Sequence, residues 1–408
     1  MRWLITLLLL VFFQWYSYQA LKTAISNRWI LYGYVFFTVI IVGNLLFYTL
    51  ILERNTTNEP RLMYAIGFFL SLLIFQLLVS VILLAEDVFR IPQALYSFLK
   101  RVPEQTQFIP SRRKIISQIA LGLASIPFAS LLYGMYRGKY NYKVLSYNLE
   151  FEDLPDAFDG FKITQISDIH SGSFDNQTKV QYGVDLVNQQ KSDLVLFTGD
   201  LVNNRADEIK PWIKIFNKIK AEFGVFSILG NHDYGDYMRW ESPAAKRKNM
   251  EDLYDAHNEM GWDLLLNESR FIEKDGDRLA IIGVENWGSG FKKAGDLNKA
   301  LNKVSEKDFK ILLTHDPSHW EAQVIPHPFK IHLTLSGHTH GMQFGIEIPG
   351  IIKWSPAKWR YKQWAGVYSE NKQYLNVNRG FGYLAYPGRV GMWPEVSVIT
   401  LSKSKSSI

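Results

Sequence analysis

The stretch Lys162-Ile163-Thr164-Gln165-Ile166-Ser167-Asp168-Ile169-His170 ends a β-type run on a carboxylate and an imidazole two positions apart. The same grammar recurs downstream. Leu194 to Thr198 runs into Gly199-Asp200, Val225 to Leu229 into Gly230-Asn231-His232-Asp233, Lys310 to Thr314 into His315, and His332 to Ser336 into Gly337-His338-Thr339-His340. Ala280 to Val284 reads as a further buried strand, and Tyr374 to Asn378 and Val396 to Leu401 close the sheets. Helical patterns at Thr178 to Gln190, Glu208 to Ile219 and Met250 to Met260 alternate with these runs, which predicts an α/β domain from about Asn141 onward. In open α/β sheets ligands bind beyond the carboxyl ends of the strands. Five strand ends therefore deliver carboxylates, imidazoles and one amide to a single place. Gly199, Gly230 and Gly337 are expected to let the backbone turn sharply there.

That convergence predicts a metal site. The chain has no cysteine, so sulfur ligands, disulfides and cysteine nucleophiles are excluded, and oxygen with imidazole nitrogen suits Mn²⁺, Fe, Zn²⁺ or Mg²⁺. Taken singly, Asp168, Asn231 or His315 is an ordinary turn, surface or core residue; the order and strand-end spacing of the whole set carry the reading. His315 is preferred to His319 because His319 lies past Pro317, off the strand end. His257, His327 and His332 have no comparable context and are expected to be structural or surface residues.

In this order the elements resemble the calcineurin-like metallophosphoesterase family, whose pattern is D-x-H, G-D-x-x-D, G-N-H-[D/E], a lone His and G-H-x-H. The resemblance covers about Asp168 to His340, and the Gly-, Trp- and Arg-rich stretch through Pro394 is similar to the family's bacterial membrane-associated and exported branch. One position departs from the pattern: Asn203 stands where the second Asp of G-D-x-x-D is usual. The resemblance implies a four-layer α-β-β-α sandwich, two mixed sheets flanked by helices, over residues 141–408. It also implies two divalent metal ions about 3.5 to 4 Å apart. Asp200 would bridge them; Asp168, His170 and His340 would complete one site, and Asn231, His315 and His338 the other. His232 would contact the phosphate and protonate the leaving oxygen, with Asp233 holding its ring.

Residues 1–140 read as an all-α transmembrane region. With 408 residues, 47% hydrophobic and only 21% charged, the chain is apolar for a soluble protein. Four runs, Trp3 to Ala20, Ile30 to Leu52, Met63 to Ala85 and Ile115 to Tyr136, approach or exceed the roughly 20 residues a spanning helix needs. None is interrupted by Asp, Glu, Lys or Arg, which favours an anchor or packed bundle over a transporter. The first run also fits a signal peptide, though no clear cleavage site follows. Arg90, Lys100, Arg101, Arg112, Arg113 and Lys114 outweigh Arg54 and Arg61, so the third loop is expected in the cytoplasm and the catalytic domain on the outer face. Arg137, Lys139 and Lys143 pull the other way. Ser111-Arg112-Arg113-Lys114-Ile115 resembles an internal twin-arginine export signal, or is an ordinary basic flank.

The net charge of +6, mixed with 39 acidic residues, indicates no nucleic acid partner. Lys353, Trp354, Lys358, Trp359, Arg360, Tyr361, Lys362 and Trp364 form a basic aromatic stretch that fits packed loop residues, a lipid headgroup contact or a phosphate grip. Asn378 to Gly382 and Pro387 to Arg389 read first as turns, with Arg–phosphate pairing as the rival. Trp287, between Asn286 and Gly290, is a candidate for the pocket rim or a mobile loop. The expected function is membrane-anchored hydrolysis of phosphodiester or pyrophosphate bonds by metal-activated water. Lipid-linked or envelope phosphates, with membrane lipids as neighbours, are the expected targets; soluble nucleotides are the runner-up. The rival is a scaffold or binding module of the same fold with weak catalysis. Oligomeric state is open at this level.

Overall fold

The computed structural model describes residues 2–51, 60–100, 110–348 and 350–404, so Leu52, Arg54, Arg101 and the tail from Lys405 lie outside the described residues. The chain divides into two compact units, one ending at Tyr136 and one beginning at Arg137. The first unit is helical: α1 (Arg2–Ala24), α2 (Arg28–Ile51), α3 (Pro60–Lys100) and α4 (Pro110–Tyr136). Ala20, Val79, Leu83, Ala120 and Ala124 form its buried centre, where small residues let α1, α3 and α4 approach closely. Buried amides are paired rather than left open: Gln76 Nε2 donates to Tyr34 OH at 2.9 Å and also reaches Gln14.

The helices outrun the apolar stretches because hydrogen bonding continues into polar flanks that hydropathy does not count. Thus α3 passes Glu86 and Asp87, and Arg113 of α4 pairs with both carboxylates. Among the described residues three helical stretches, Arg28–Leu50, Pro60–Pro92 and Arg112–Tyr136, are long and apolar enough to cross a membrane. The first of the four expected runs lies in α1, which falls short of that measure. The last third of α1 turns polar and aromatic, through Gln14, Trp15, Tyr16, Ser17 and Gln19.

The second unit contains β1 (Lys143–Phe151), β2 (Lys162–Ile166), α5 (Gln177–Gln189), β3 (Leu194–Phe197), α6 (Ile213–Phe216), β4 (Val225–Ser227), α7 (Pro243–Glu259), β5 (Asp263–Leu264), β6 (Glu268–Lys274) and β7 (Asp277–Gly283). It continues with α8 (Leu297–Ala300), β8 (Phe309–Leu313), β9 (Leu333–Ser336), β10 (Ile346–Ile348), β11 (Ile352–Trp354), β12 (Gly366–Glu370), β13 (Gln373–Val377) and β14 (Glu395–Lys403). Two six-stranded sheets run β1-β14-β2-β3-β4-β5 and β12-β13-β9-β8-β7-β6, and β10 and β11 form a separate ribbon. Both sheets are mixed. β2 to β5 and β7, β8, β9 and β13 pair in parallel, while β14 against β2, β6 against β7 and β12 against β13 are antiparallel.

Strand alternation assigns the layers. Ile163, Leu194, Leu196 and Ile399 of the first sheet meet Leu279, Ile281, Ile311, Leu313, Leu333 and Leu335 of the second in one sandwich core. The intervening residues Ala280, Ile282 and Leu312 face outward under Leu297, Ala300, Leu301, Trp320 and Val324. On the far side of the first sheet Phe197 packs on Trp262, and Phe216 on Phe381. The predicted helix at Glu208 to Ile219 is broken into two short 3-10 turns and the single turn α6. Pro211 interrupts it, and the Glu208 side chain is occupied with the backbone of 203 to 205.

Leu196→Ala removes a fully buried side chain between the sheets. It is expected to destabilise the second unit by about 2–5 kcal/mol, seen as a lower urea midpoint in tryptophan fluorescence; an unchanged midpoint contradicts this packing.

Candidate metal centre

The parallel strands end together, and the backbone beyond them is strained. Asp168, His170, Asp200, His338 and His340 all have left-handed φ, between 48° and 72°. Such conformations cost on the order of 1–3 kcal/mol each in non-glycine residues and persist only where the surroundings enforce them. Neighbouring strand ends do so here. Asp168 N–H donates to the Gly199 carbonyl, His170 N–H to the Asp200 carbonyl and Gly337 N–H to the His315 carbonyl. Of the three strand-end glycines only Gly199, at φ 93°, needs left-handed freedom. Gly230 and Gly337 are glycines for space, which corrects the turn expectation: a Cβ would strike Asp200 at the first and Ser167 and Asp168 at the second.

Two sets of ligand-type atoms result. Asp168, His170 and His340 gather within 4.8 Å of one another, and so do Asp200, His315 and His338. Their chemistry fits cations. His170 Nδ1 donates to Asn203 Oδ1 at 3.1 Å, so its Nε2 presents a lone pair; that nitrogen lies 3.1 Å from His340 Nε2 and 3.5 Å from Asp200 Oδ2. His315 Nδ1 donates to the Thr198 carbonyl at 2.8 Å, which aims its Nε2 at Asp200 Oδ2, 3.1 Å away. His338 turns Nδ1 to His315 Nε2 at 3.2 Å and engages Tyr361 OH through Nε2 at 2.7 Å. The Nε2 lone pairs of His170 and His315 thus face the Asp200 carboxylate, acceptor against acceptor in a buried pocket, an arrangement that a positive charge relieves. Asn231 gives its Nδ2 to Tyr237 OH at 2.8 Å and keeps a buried Oδ1 with no hydrogen-bond partner. A buried amide oxygen of this kind fits a cation ligand.

The two carboxylates draw positive charge into the pocket. Burial works against a charged imidazole, yet Asp200 and Asp168 raise His315 to about 10. Burial also opposes ionised carboxylates, but the surrounding histidines hold Asp168 and Asp200 below the usual carboxylate range. Burial alone dominates at His170 and at His338, which falls to about 4.

His232 lies beside this group. Its backbone N–H donates to Asp200 Oδ1 at 2.8 Å, and its ring is held by the Asn203 carbonyl, 2.8 Å from Nδ1, with Tyr237 packed at 4.6 Å between ring centroids. Asp233 does not hold that ring, contrary to expectation. Its carboxylate instead accepts the backbone N–H groups of Asp200, Leu201, Val202 and Gly230 at 2.8–3.2 Å, stitching two strand-end loops together. Burial and the charge of Asp200 push the Asp233 carboxyl up to about 7. Four convergent main-chain donors explain why the side chain turned inward, a pattern no residue spacing announces.

Asn203 serves both histidines, through its side chain at His170 and its carbonyl at His232. Behind it sits Glu208, half-buried, pushed up to about 7 by burial of its carboxyl and accepting the backbone N–H groups of residues 203 to 205. A second acid at position 203 would face this carboxyl, so the neutral amide suits the pocket. His319 lies away from the centre, stacked on Trp287 and bonded to Thr314. His257 bonds to Ser227, and His332 to Lys310 N–H and Asp153. Arg379 pairs with Glu347 and Glu395, and fully buried Arg389 donates to the carbonyls of Gly380, Gly382 and Met392, so neither is free to grip phosphate. Two contributors escaped sequence reasoning: Tyr361, whose only signal was its aromatic stretch, and buried Asp316, whose Oδ2 lies 3.6 Å from His338 Nε2.

Comparison with known proteins accords with this geometry. Residues 161–342 match the family model described as calcineurin-like phosphoesterase, and residues 1–139 match one described as the transmembrane domain of probable calcineurin-like phosphoesterases. An uncharacterized metallophosphoesterase of Bacillus subtilis is 29% identical over 275 residues, covering 67% of this chain and 90% of that protein. A transmembrane protein with metallophosphoesterase domain from Danio rerio is 26% identical over 282 residues; the match takes in 67% of this chain but only 60% of the fish protein's length. An uncharacterized metallophosphoesterase of Helicobacter pylori is 26% identical over 320 residues, 77% of this chain and 78% of that protein.

Asn203→Ala deprives His170 of its acceptor and is expected to weaken divalent-metal binding roughly 10- to 100-fold, measured by calorimetric titration with Mn²⁺. Unaltered affinity would show that the amide does not orient the ligand. Gly337→Ala, which drives a methyl into Ser167 and Asp168, should lose metal more completely than Gly276→Ala, whose Cβ meets open space.

Proposed function

We infer that this chain, which belongs to the calcineurin-like metallophosphoesterase family and carries that family's transmembrane domain, hydrolyses phosphoric esters with two divalent cations held by the strand-end residues. The observation that carries the reading is the set of lone pairs and carboxylate oxygens turned on one another around Asp200. Asp168, His170 and His340 are assigned to one cation, Asn231, His315 and His338 to the other, and Asp200 to both. The cations, when bound, supply Lewis acidity to the phosphate oxygens and to an attacking water.

The chain's own groups position and transfer protons. Asp200 Oδ1, by accepting the His232 N–H, ties the bridging carboxylate to the residue that meets the substrate. With Nδ1 committed to the Asn203 carbonyl, His232 has Nε2 available to protonate the departing oxygen. Asp233 keeps the two loops in register through their main chain. Direct attack by water needs no covalent intermediate.

Phosphodiester or pyrophosphate bonds are the proposed substrates, in preference to monoesters, and a lipid-linked or envelope phosphate is the proposed target. Support comes from the family and from the transmembrane domain that keeps the site near lipid. The domain is placed on the outer face of a multi-pass anchor, on the strength of the basic residues Arg90, Lys100, Arg112 and Lys114 between the third and fourth apolar runs.

With Mn²⁺ added, the full chain is expected to cleave an aryl phosphodiester faster than the matching monoester, and Asp200→Asn to lose on the order of 10³-fold in kcat/KM. Equal, negligible turnover by both proteins would favour a scaffold. His232→Asn should lower kcat by roughly 10²- to 10⁴-fold with metal content unchanged, most for poor leaving groups. A C-terminal alkaline phosphatase fusion should be active in intact cells; an inactive fusion contradicts the outward placement.

A further inference from the structure

The ribbon of β10 and β11 leaves its isoleucines uncovered. Its register pairs Ile346 with Trp354, Glu347 with Lys353 and Ile348 with Ile352. Side chains alternate across a strand, so one face carries Ile346, Ile348, Ile352 and Trp354 and the other carries Glu347 and Lys353. In a ribbon packed on a soluble domain the apolar face turns in and the charged face out. Here both faces are largely open, and it is the charged one that finds partners in the fold. Glu347 pairs with Arg379 at 2.8 Å, and Lys353 Nζ donates to the Ala365 carbonyl at 2.7 Å, close over the rings of Trp364 and Tyr368. The isoleucines face solvent, from 43% exposed at Ile352 to 80% at Ile351 in the turn.

The apolar surface continues past the ribbon. Trp359, 75% exposed, lies edge-on to Trp354 with ring centroids 5.9 Å apart, and Met342 is exposed just before β10. From Gly341 to Gly366 the chain has Lys353, Lys358, Arg360 and Lys362 against one acid, Glu347, and Lys358, Trp359, Arg360 and Lys362 are all exposed. Isoleucines at a tip, an exposed tryptophan beside them and a basic rim form the composition that enters a lipid headgroup layer. Contacts between protein copies instead tend to exclude lysine.

We propose that this ribbon, with Trp359 and its flanking basic residues, inserts its apolar face into the headgroup region of an anionic bilayer. The occupant is at hand, because the same chain carries a transmembrane domain. The ribbon leaves the fold six residues after His340 and returns seven residues before Tyr361, the hydroxyl that engages His338. Lipid contact there restrains the loop that carries two residues of the metal centre. The inference does not depend on the reaction catalysed, since its readout is contact with lipid.

The test uses the absence of cysteine from the chain. Ile351→Cys, and Lys248→Cys on the exposed face of α7 as a reference, are spin-labelled in the full chain and reconstituted into phosphatidylcholine–phosphatidylglycerol vesicles. Collision with oxygen, which concentrates in lipid, is compared with collision with a water-soluble nickel chelate. The label at 351 is expected to show an oxygen-to-nickel ratio several-fold above that at 248, and Lys358→Glu with Arg360→Glu should lower it at least twofold. A ratio at 351 equal to that at 248, or one indifferent to the charge reversal, overturns the proposal. So does spin–spin broadening at 351 that disappears on dilution with unlabelled protein, which would make a second copy the occupant.

Discussion

The second unit is organised around one buried carboxylate. Asp200 sits in a left-handed turn, almost fully buried, with His315 Nε2 and His170 Nε2 approaching one oxygen and the His232 amide donating to the other. A charge taken out of water this completely requires partners of opposite sign, and beside it stand imidazole nitrogens on one oxygen and a backbone N–H on the other. The pocket is therefore balanced for cations, and much of the surrounding architecture exists to keep it so. Two sheets end at one rim, glycines at 230 and 337 make room, and Asp233 spends its carboxylate on main-chain amides.

Strain and packing support one another in this arrangement. Five functional residues in unfavourable φ would relax if their loops were free, but backbone hydrogen bonds tie Asp168, His170 and Asp200 across two strand ends, the Asp168 carboxylate holds the His338 N–H, and the strands are locked by the Ile- and Leu-rich core between the sheets. The site is as rigid as the sandwich behind it. Imidazole orientation comes from a second set of contacts, Asn203 for His170, the Thr198 carbonyl for His315 and Tyr361 for His338, so that each presents the intended nitrogen.

The chain also spends polarity in places where folding alone gives no reason for it. The β10–β11 ribbon gives Glu347 and Lys353 partners in the fold, Arg379 and the Ala365 carbonyl, while leaving its isoleucines exposed, against what burial energetics favour in water. Arg379 and Arg389, which look like phosphate grips in sequence, are consumed by internal acceptors. Charge on a loop reports function only after its partners are known.

How much was legible in the linear chain follows from which interactions are local. Strand periodicity, the strand-end residues Asp168, His170, Asp200, Asn231, His315, His338 and His340, and the apolar length of the N-terminal helices are written in adjacent or near-adjacent positions, so the sequence by itself determined the α/β class, the set of candidate ligands and the membrane character. The rest depends on residues brought together from far apart. The break of the expected helix at Glu208, whose side chain caps the 203–205 backbone, the true employment of Asp233, the partnership of Tyr361 with His338 and the uncovered isoleucines of the ribbon were decided only by tertiary structure. The physical reason is that a hydrogen bond or a buried face is defined by what lies opposite it, and spacing along the chain specifies a residue's side of a strand but not its neighbour across the gap.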